Sequence, residues 1–356
     1  MIKKIVLLFI LFITILPFKS MADERYLIFN STDDYINIRS SPNGKVLNKL
    51  YRMDFIIIFY KFSQDNVKDK WISTDYGYIH QSQVKDISAN EFNSYIKQTI
   101  LDEINKIDNE TVKKEILGDK KWIDEYKLGV KDDYATGVLR RRLKLINNII
   151  HKEYSQALEY AAFLGMPDTF VYLLNNGAEI ISNVKVAENN GDFLKPEDVC
   201  GSEYIETDVL FESVIGANNN KINKIILDSG LDFNHRYEDH VFSKHILTMA
   251  IEQENIELVN LLLEHNADVN ISICNNDFGL TSIGASPLQA AIAVNRLDIV
   301  KILVERGANI NVPIIVQDGS YDITGELPLD FAINKGYTDI AEYLKSHNAK
   351  KYKELK

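Results

Sequence analysis

The sequence predicts a mainly α-helical protein, in which a solenoid of repeated helical pairs follows a small β-barrel and a helical connector. Three observations support this fold class. One pattern recurs five times between Gln156 and Ala349, short β-branched and aromatic runs fill residues 25–87, and apolar residues at helical spacing lie between these two regions. A single repeat cannot bury its own apolar stripe, so neighbouring repeats must stack into one continuous core.

Residues 1–22 are predicted to be a secretory signal peptide. Two lysines precede an apolar run from Ile5 to Leu16, and the small residues Ser20 and Ala22 fit cleavage after Ala22. The run is shorter than the roughly 20 residues that span a bilayer, although an uncleaved anchor is the alternative. We therefore expect an exported protein, periplasmic or secreted, with no membrane insertion after signal cleavage.

Residues 23–87 carry two separate motifs in a region of strand-forming composition. The first is Asn-x-Arg-x-x-Pro at Asn37, Arg39 and Pro42, and the second is a Trp followed by Gly-Tyr-Ile-His, at Trp71 and at residues 77–80. Together they resemble the bacterial SH3 (SH3b) family, which implies a small β-barrel.

That resemblance implies binding of a peptide or of cell-wall material. The candidate groove residues are Arg39, Trp71, Tyr78 and His80. The alternative is that these side chains only fix turns and pack a small barrel, since aromatic residues dominate small cores.

Residues 88–154 are predicted to form a helical connector that caps the first repeat. Ser88 and Glu91 have the spacing of a capping box, and apolar residues then follow at helical spacing up to Ile104 and again from Leu139 to Ile150. The basic run Arg140–Arg142 could suggest nucleic acid or anionic lipid, but in an acidic protein a solvated helix face is favoured.

The clearest copy of the repeat covers residues 286–311. It begins Ser-Pro-Leu-Gln-Ala-Ala, continues through Ile299–Val304 and closes at Arg306–Asn311. This pattern resembles an ankyrin repeat. The five copies are predicted at residues 156–181, 208–234, 245–270, 286–311 and 327–349 within a domain of residues 155–350, and residues 351–356 form a basic tail.

Each part of the pattern has a physical reason. Pro at the first helical position loses no hydrogen bond, and the small residue lets the first helix lie close to its neighbour. A Gly after the second helix accepts the left-handed conformation that ends it. Asn266 and Asn348 stand where other copies have Gly, so they are expected to adopt the same conformation.

The spacing between copies leaves long insertions that the ankyrin resemblance assigns to β-hairpin fingers. The repeat ends lie 53, 36, 41 and 41 residues apart, against about 33 in the family. Such insertions are either tolerated surface loops or contacts for a partner. The candidate partner-binding residues are Asn275, Asn276, Asp277, Phe278, Gln317, Asp318, Tyr321 and Asp322.

Composition and motifs narrow the function. Removing residues 1–22 takes away three lysines and no acid, so the mature net charge is −14, which disfavours nucleic acid as a partner. No catalytic motif is found, and no cofactor or metal site is predicted, because the histidines and acids of residues 235–245 lack metal-ligand spacing. Cys200 and Cys274 both lie in insertions, so a disulfide and two free thiols both remain open.

The resulting prediction is an exported, non-enzymatic scaffold that binds a protein partner of unknown identity through its ankyrin-repeat surface. The resemblance to exported bacterial ankyrin-repeat proteins implies a toxin-neutralising immunity protein or a host-directed effector. The alternative is an envelope-associated factor whose SH3-like domain binds peptidoglycan, that is, a cell-wall peptide. A hidden active site in residues 88–154 or 182–206 would instead make the protein an enzyme.

Overall fold

A computed structural model describes residues 25–29, 35–51, 67–68, 70–74, 77–118, 121–124, 133–180, 182–186, 203–234, 236–238, 243–271, 273–275, 281–312, 314–317 and 323–354. The chain is mainly helical and divides into two compact units, Met1–Glu153 and Tyr154–Lys356. The predicted signal peptide lies outside the described residues. None of the described helices is both long enough and apolar enough to span a membrane.

The N-terminal unit contains antiparallel strands in two sheets. The first strand pairs with the last, β1 with β7, and the others form a sheet in the order β3-β2-β6-β5-β4. The strands are β1 (Arg25–Phe29), β2 (Tyr35–Arg39), β3 (Val46–Tyr51), β4 (Val67–Lys68), β5 (Trp71–Thr74), β6 (Gly77–His80) and β7 (Val84–Ser88). Ile36, Ile38, Ile72 and Ile79 are buried, so one face of the larger sheet forms the core.

Gly77 lets β6 begin directly against β2. Its φ is +133°, and a Cβ there would lie 2.5 Å from the carbonyl oxygen of Arg39 and 2.7 Å from the side chain of Ile38. Both the backbone conformation and the close approach therefore require glycine.

After the strands, the described residues of this unit form four α-helices: α1 (Ala89–Asn105), α2 (Glu110–Leu117), α3 (Lys121–Asp124) and α4 (Asp133–Ile150). The predicted capping box is present, with Ser88 accepting from the Glu91 N–H and Glu91 accepting from the Ser88 N–H at 2.9 Å. Helix α1 buries Phe92, Ile96, Ile100 and Ile104 and lies against β1, β7 and α4. The strands and the helices of the predicted connector are therefore parts of one compact unit.

Arg142 has a structural role that the basic run did not reveal. Its Nη1 donates to the Ile116 carbonyl at 3.1 Å, and Trp122 Nε1 donates to the same oxygen at 3.1 Å. The guanidinium also lies 5.2 Å from the centre of the Trp122 ring. Arg140 is exposed as expected for a solvated face, whereas Arg142 is half-buried and satisfies the end of α2.

The described part of the second unit contains five helix pairs. Their bounds are α5 (Tyr154–Phe163) with α6 (Pro167–Asn175), α7 (Val209–Ile215) with α8 (Asn220–Asp228), α9 (Ile246–Glu252) with α10 (Ile256–Glu264), α11 (Pro287–Ala293) with α12 (Leu297–Glu305), and α13 (Pro328–Asn334) with α14 (Thr338–Ser346). Equivalent leucines of the second helices, Leu262, Leu303 and Leu344, are each completely buried. This agrees with the predicted stack, in which each pair covers the next.

Two left-handed residues shape every pair. One follows the first helix, at Gly165, Asn218, Glu254, Asn295 and Gly336, and one follows the second, at Gly177, Gly230, Asn266, Gly307 and Asn348. The prediction for Asn266 and Asn348 is confirmed, with φ of 67° and 64°. The left-handed position between the helices was not predicted from the sequence, because only two of its five residues are glycine.

The second pair carries one extra residue in the turn between its helices. Its small residue Ser213 lies five positions before the left-handed Asn218, whereas Ala161 lies four before Gly165. The inserted region contacts the first pair, since the Ala217 N–H donates to the Phe163 carbonyl at 2.9 Å. A Cβ on Gly216 would lie 2.1 Å from that same oxygen, so the contact depends on glycine at this position.

Candidate functional site: the fingers and faces of the two units

The fingers between the last three helix pairs combine into one sheet. Strands β12 (Ile273–Asn275), β13 (Thr281–Ala285), β14 (Ile314–Gln317) and β15 (Ile323–Glu326) are hydrogen-bonded in this order, all antiparallel. The hairpins were predicted singly, but their pairing with each other was not. Period-2 patterns identify strands, whereas which strands meet depends on how the helices stack.

Two of the eight predicted partner-binding residues lie in this sheet, at the same end. Asn275 pairs with Ser282 and Gln317 with Thr281, on opposite sides of β13. Two strand spacings separate them by about 10 Å. The other six predicted residues, Asn276, Asp277, Phe278, Asp318, Tyr321 and Asp322, lie outside the described residues.

A second sheet joins the earlier fingers. It has the order β11-β10-β9-β8, with β8 (Ser182–Val186), β9 (Glu203–Asp208), β10 (Arg236–Glu238) and β11 (Ser243–Lys244). Strand β11 also lies beside β12, so the four described fingers between the five helix pairs form a row along one side of this unit.

Asparagine side chains connect successive pairs at the base of the fingers. Asn234 donates from Nδ2 to the Asn266 carbonyl at 3.1 Å and accepts from the Asp268 N–H at 2.9 Å. Asn270 makes the same two bonds to Gly307 and Asn309, at 3.2 and 2.7 Å. One primary amide thus satisfies both a carbonyl and an N–H of the following repeat.

The joint between the fourth and fifth repeats also has an asparagine four positions after the left-handed residue. Asn311 accepts a hydrogen bond from the Lys350 N–H at 2.8 Å. The signal for this ladder is visible in the sequence, since each asparagine follows the left-handed residue by four positions. The repeat pattern located these asparagines, and only the structure showed that they reach the next repeat.

Three carboxylates lie near one another at the first helices of the first two pairs. Asp208 caps α7 by accepting from the Phe211 N–H at 2.8 Å. Burial, and secondarily the charges of Glu212 and Asp208, raise the pKa of Glu159. The charges of Glu212 and Asp208 therefore add to burial in disfavouring the ionised form of Glu159.

In the N-terminal unit the four predicted groove residues lie on one face of the five-stranded sheet. Arg39 pairs with Tyr78 and Trp71 pairs with His80, and residues 78 and 80 are two apart on one strand. Directly paired residues, and residues two apart, share a face. This face is opposite the buried isoleucines, so the structure brings the four side chains together.

Their contacts show different roles. Arg39 Nη1 donates to the Gly44 carbonyl at 2.8 Å and so holds the turn between β2 and β3. The rings of Trp71 and His80 meet edge to face at 5.0 Å, and His80 Nδ1 lies 2.7 Å from Ser82 Oγ. Trp71 is buried while Arg39, Tyr78 and His80 are half-buried, so the latter three are the accessible members.

Two further residues extend this face and were missed. Tyr35 shares the face because it lies four positions before Arg39 on the same strand, and the Lys49 ammonium lies 3.8 Å from the centre of its ring. The isoleucines at positions 36 and 38 alternate with Tyr35, Asn37 and Arg39, and this period-2 pattern could have placed Tyr35 on the face of Arg39 from the sequence.

The remaining chemical candidates fall mostly outside the described side chains. Of the histidines and acids in residues 235–245, only the side chain of His245 is described, and it is buried at the start of α9. Among described residues no group of three metal-ligating side chains occurs. Cys200 lies outside the described residues, and Cys274 is described only as part of strand β12.

Comparison with known families identifies part of the second unit. Residues 210–314 match the ankyrin-repeat family in three copies, which cover the second, third and fourth helix pairs. No curated protein is significantly similar to the chain. Ankyrin repeats imply protein partners and a scaffold for protein–protein interaction.

Proposed function

We propose that this protein is an exported, non-enzymatic scaffold that binds another protein through its ankyrin repeats. The observation that carries the proposal is the match of residues 210–314 to ankyrin repeats, within a stack of five helix pairs whose fingers align in sheets. The described finger strands are hydrogen-bonded side by side, which favours a preorganised surface for a partner. Binding, with no chemical step, is the whole activity.

Affinity capture from the envelope fraction of the producing cell tests this proposal. The full mature chain is expected to retain a specific protein, and deletion of residues 276–278 or 318–321 is expected to weaken its retention. Because insertions between repeats are tolerated at little cost in stability, the thermal midpoint should change little. Retention that is equal for all three proteins would exclude the finger tips as the contact, and a large loss of stability would show that they are structural.

The biological role proposed for this scaffold is neutralisation of a toxin, or action as an effector on host proteins. Export rests on the predicted signal peptide of residues 1–22. N-terminal sequencing of the protein recovered from periplasm or medium should begin at Asp23. An intact Met1 on all recovered protein would contradict export by this signal, and the nature of the captured partner distinguishes immunity from effector activity.

A second candidate is an envelope factor whose N-terminal unit is an SH3-like barrel that binds cell-wall peptide. The specific observation in its favour is the shared face of Arg39, Tyr78 and His80, together with pairing of the first strand with the last. Co-sedimentation of the full chain with purified cell wall should fall for Tyr78→Ala and stay unchanged for Tyr352→Ala in the other unit. Failure of the unaltered protein to sediment would dismiss this candidate.

A further inference from the structure

An open groove lies at the joint between the first and second helix pairs, on the side of the second helices. It has a volume of about 720 Å³ and is lined by Leu174, Glu179, Ile180, Ile225, Ser229, Gly230, Leu231 and Asp232. Its floor is formed by four half-buried aliphatic side chains, and Glu179 and Asp232 are exposed at its edge. The described lining contains two carboxylates and no Lys or Arg.

The groove coincides with a break in the asparagine ladder. At the next two joints, an asparagine four positions after the left-handed residue donates to a carbonyl of the following repeat. In the first repeat the left-handed residue is Gly177, and four positions later the sequence has Ile181. An isoleucine side chain carries no hydrogen-bond donor. It therefore cannot donate to the Gly230 carbonyl oxygen in the way that Asn234 donates to the Asn266 carbonyl oxygen.

We propose that this groove binds an extended segment of the protein partner that carries an apolar side chain next to an arginine or lysine. The aliphatic floor covers the apolar side chain and the aliphatic stem of the cation. The charged head reaches the carboxylates of Glu179 and Asp232 and donates to the carbonyl of Gly230, as the ladder asparagine does at other joints. The proposal rests on the proposed scaffold function and names the chemistry of its partner.

Charge complementarity favours this occupant. The chain carries a formal net charge of −11, and the groove edge adds two local carboxylates, so an acidic segment would be repelled and a basic one attracted. The open shape suits a chain segment lying across it rather than an enclosed small molecule. Apolar contact alone would not select a cation. The carbonyl and carboxylate oxygens at the groove do, because they accept hydrogen bonds from the N–H groups of an arginine or lysine head.

The test uses three fluorescently labelled, blocked heptapeptides whose centres are Leu-Arg-Leu, Leu-Glu-Leu and Ser-Arg-Ser. Anisotropy titrations with the full mature chain should give binding of the first peptide at least tenfold tighter than of either other. The double variant Glu179→Gln, Asp232→Asn should weaken binding of Leu-Arg-Leu at least tenfold. This double variant keeps the acceptor that Asp232 Oδ1 offers to the Asn234 N–H, and its circular dichroism spectrum should show that the helical stack is still folded.

A matched control separates the groove from the general charge of the protein. Asp339→Asn, Glu342→Gln removes the same charge from exposed positions of the last repeat and should leave binding unchanged. Equal loss in both double variants, equal affinity for all three peptides, or no binding of Leu-Arg-Leu would overturn the groove proposal. None of these results touches the scaffold function, which depends on capture of a protein by the full chain.

Discussion

The side-chain carbonyl of Asn270 accepts the backbone N–H of Asn309 at 2.7 Å, although 39 positions separate them. Asn270 Nδ2 also donates a hydrogen bond to the Gly307 carbonyl. Together the two hydrogen bonds connect the third repeat to the fourth at the point where the chain enters a finger. These bonds orient the fingers relative to the helices.

Replacing Asn270 with alanine should therefore destabilise the second unit. The loss is expected to be about 1–2 kcal/mol, because two hydrogen bonds at an exposed position are removed. Urea denaturation followed by circular dichroism measures it. Asn270→Asp keeps the acceptor and loses the donor, so its stability should lie between those of the unaltered protein and Asn270→Ala. If both variants are as stable as the unaltered protein, the asparagine ladder does not hold the repeats together.

Gly216→Ala should disturb the joint between the first two repeats. The Cβ of an alanine at this position would meet the Phe163 carbonyl oxygen at 2.1 Å. We expect a loss of about 1–3 kcal/mol, typical of overpacking.

The matched control for this variant is Gly177→Ala, where a Cβ meets nothing within 4 Å but φ is +94°. Only the conformational cost of about 1 kcal/mol applies there. If Gly177→Ala lowers the thermal midpoint more than Gly216→Ala does, the close approach of Gly216 to Phe163 does not determine the stability of this joint.

Asn266 is expected to tolerate glycine and not alanine. Its φ is 67°, a conformation that costs residues with an ordinary Cβ about 1–2 kcal/mol and glycine nothing. Asn266→Ala should lower the unfolding free energy by about 1 kcal/mol, while Asn266→Gly should be nearly neutral. Equal midpoints for the two variants in a chemical denaturation would refute this explanation.

Glu159 should make the second unit less stable as pH rises. Its pKa is raised in the folded state, first by burial and then by Glu212 and Asp208, so the folded state holds the proton more tightly than the unfolded chain. The favourable contribution is complete below the unfolded pKa of about 4.5 and is lost as pH rises through the higher folded pKa.

Glu159→Gln should thus stabilise the protein at pH 7, by less than about 1 kcal/mol because solvent screens a half-buried charge. The gain should disappear below pH 4.5. Thermal midpoints of both proteins between pH 4 and 8 provide the comparison, and a gain that is constant over this range would show that ionisation is not its cause.

Asp228 should have the opposite dependence. Lys224 and, next, His265 lower its pKa, so its contribution is present above the unfolded pKa and is lost as pH falls through the folded value. His265 Nε2 lies 3.0 Å from Asp228 Oδ1, which joins the second repeat to the third.

Asp228→Asn should lower the thermal midpoint at pH 6, and the difference between the two proteins should close as pH falls below 4. Lys221→Gln, on the same helix but paired with Asp168 at 3.6 Å, is the control and should not reproduce this pH profile. A difference that persists at low pH would exclude the ionised carboxylate as the source.

The sequence by itself determined the local elements of this protein. The repeat pattern located the helix pairs, the buried leucines and the left-handed Asn266 and Asn348, and Ser88 with Glu91 marked the start of α1. These features follow from periodicity, capping and backbone sterics, which act within a few residues of one another.

Tertiary structure alone decided which distant groups meet. It joins separate fingers into sheets and places Asn234 and Asn270 in hydrogen-bonding contact with the following repeats. It also brings Gly216 into contact with Phe163, and it places Arg142 at the end of α2 and not on a solvated face. The physical reason is that the repeat spacing varies between 36 and 53 residues, so contacts between repeats have no fixed sequence separation and are set by how the helices stack.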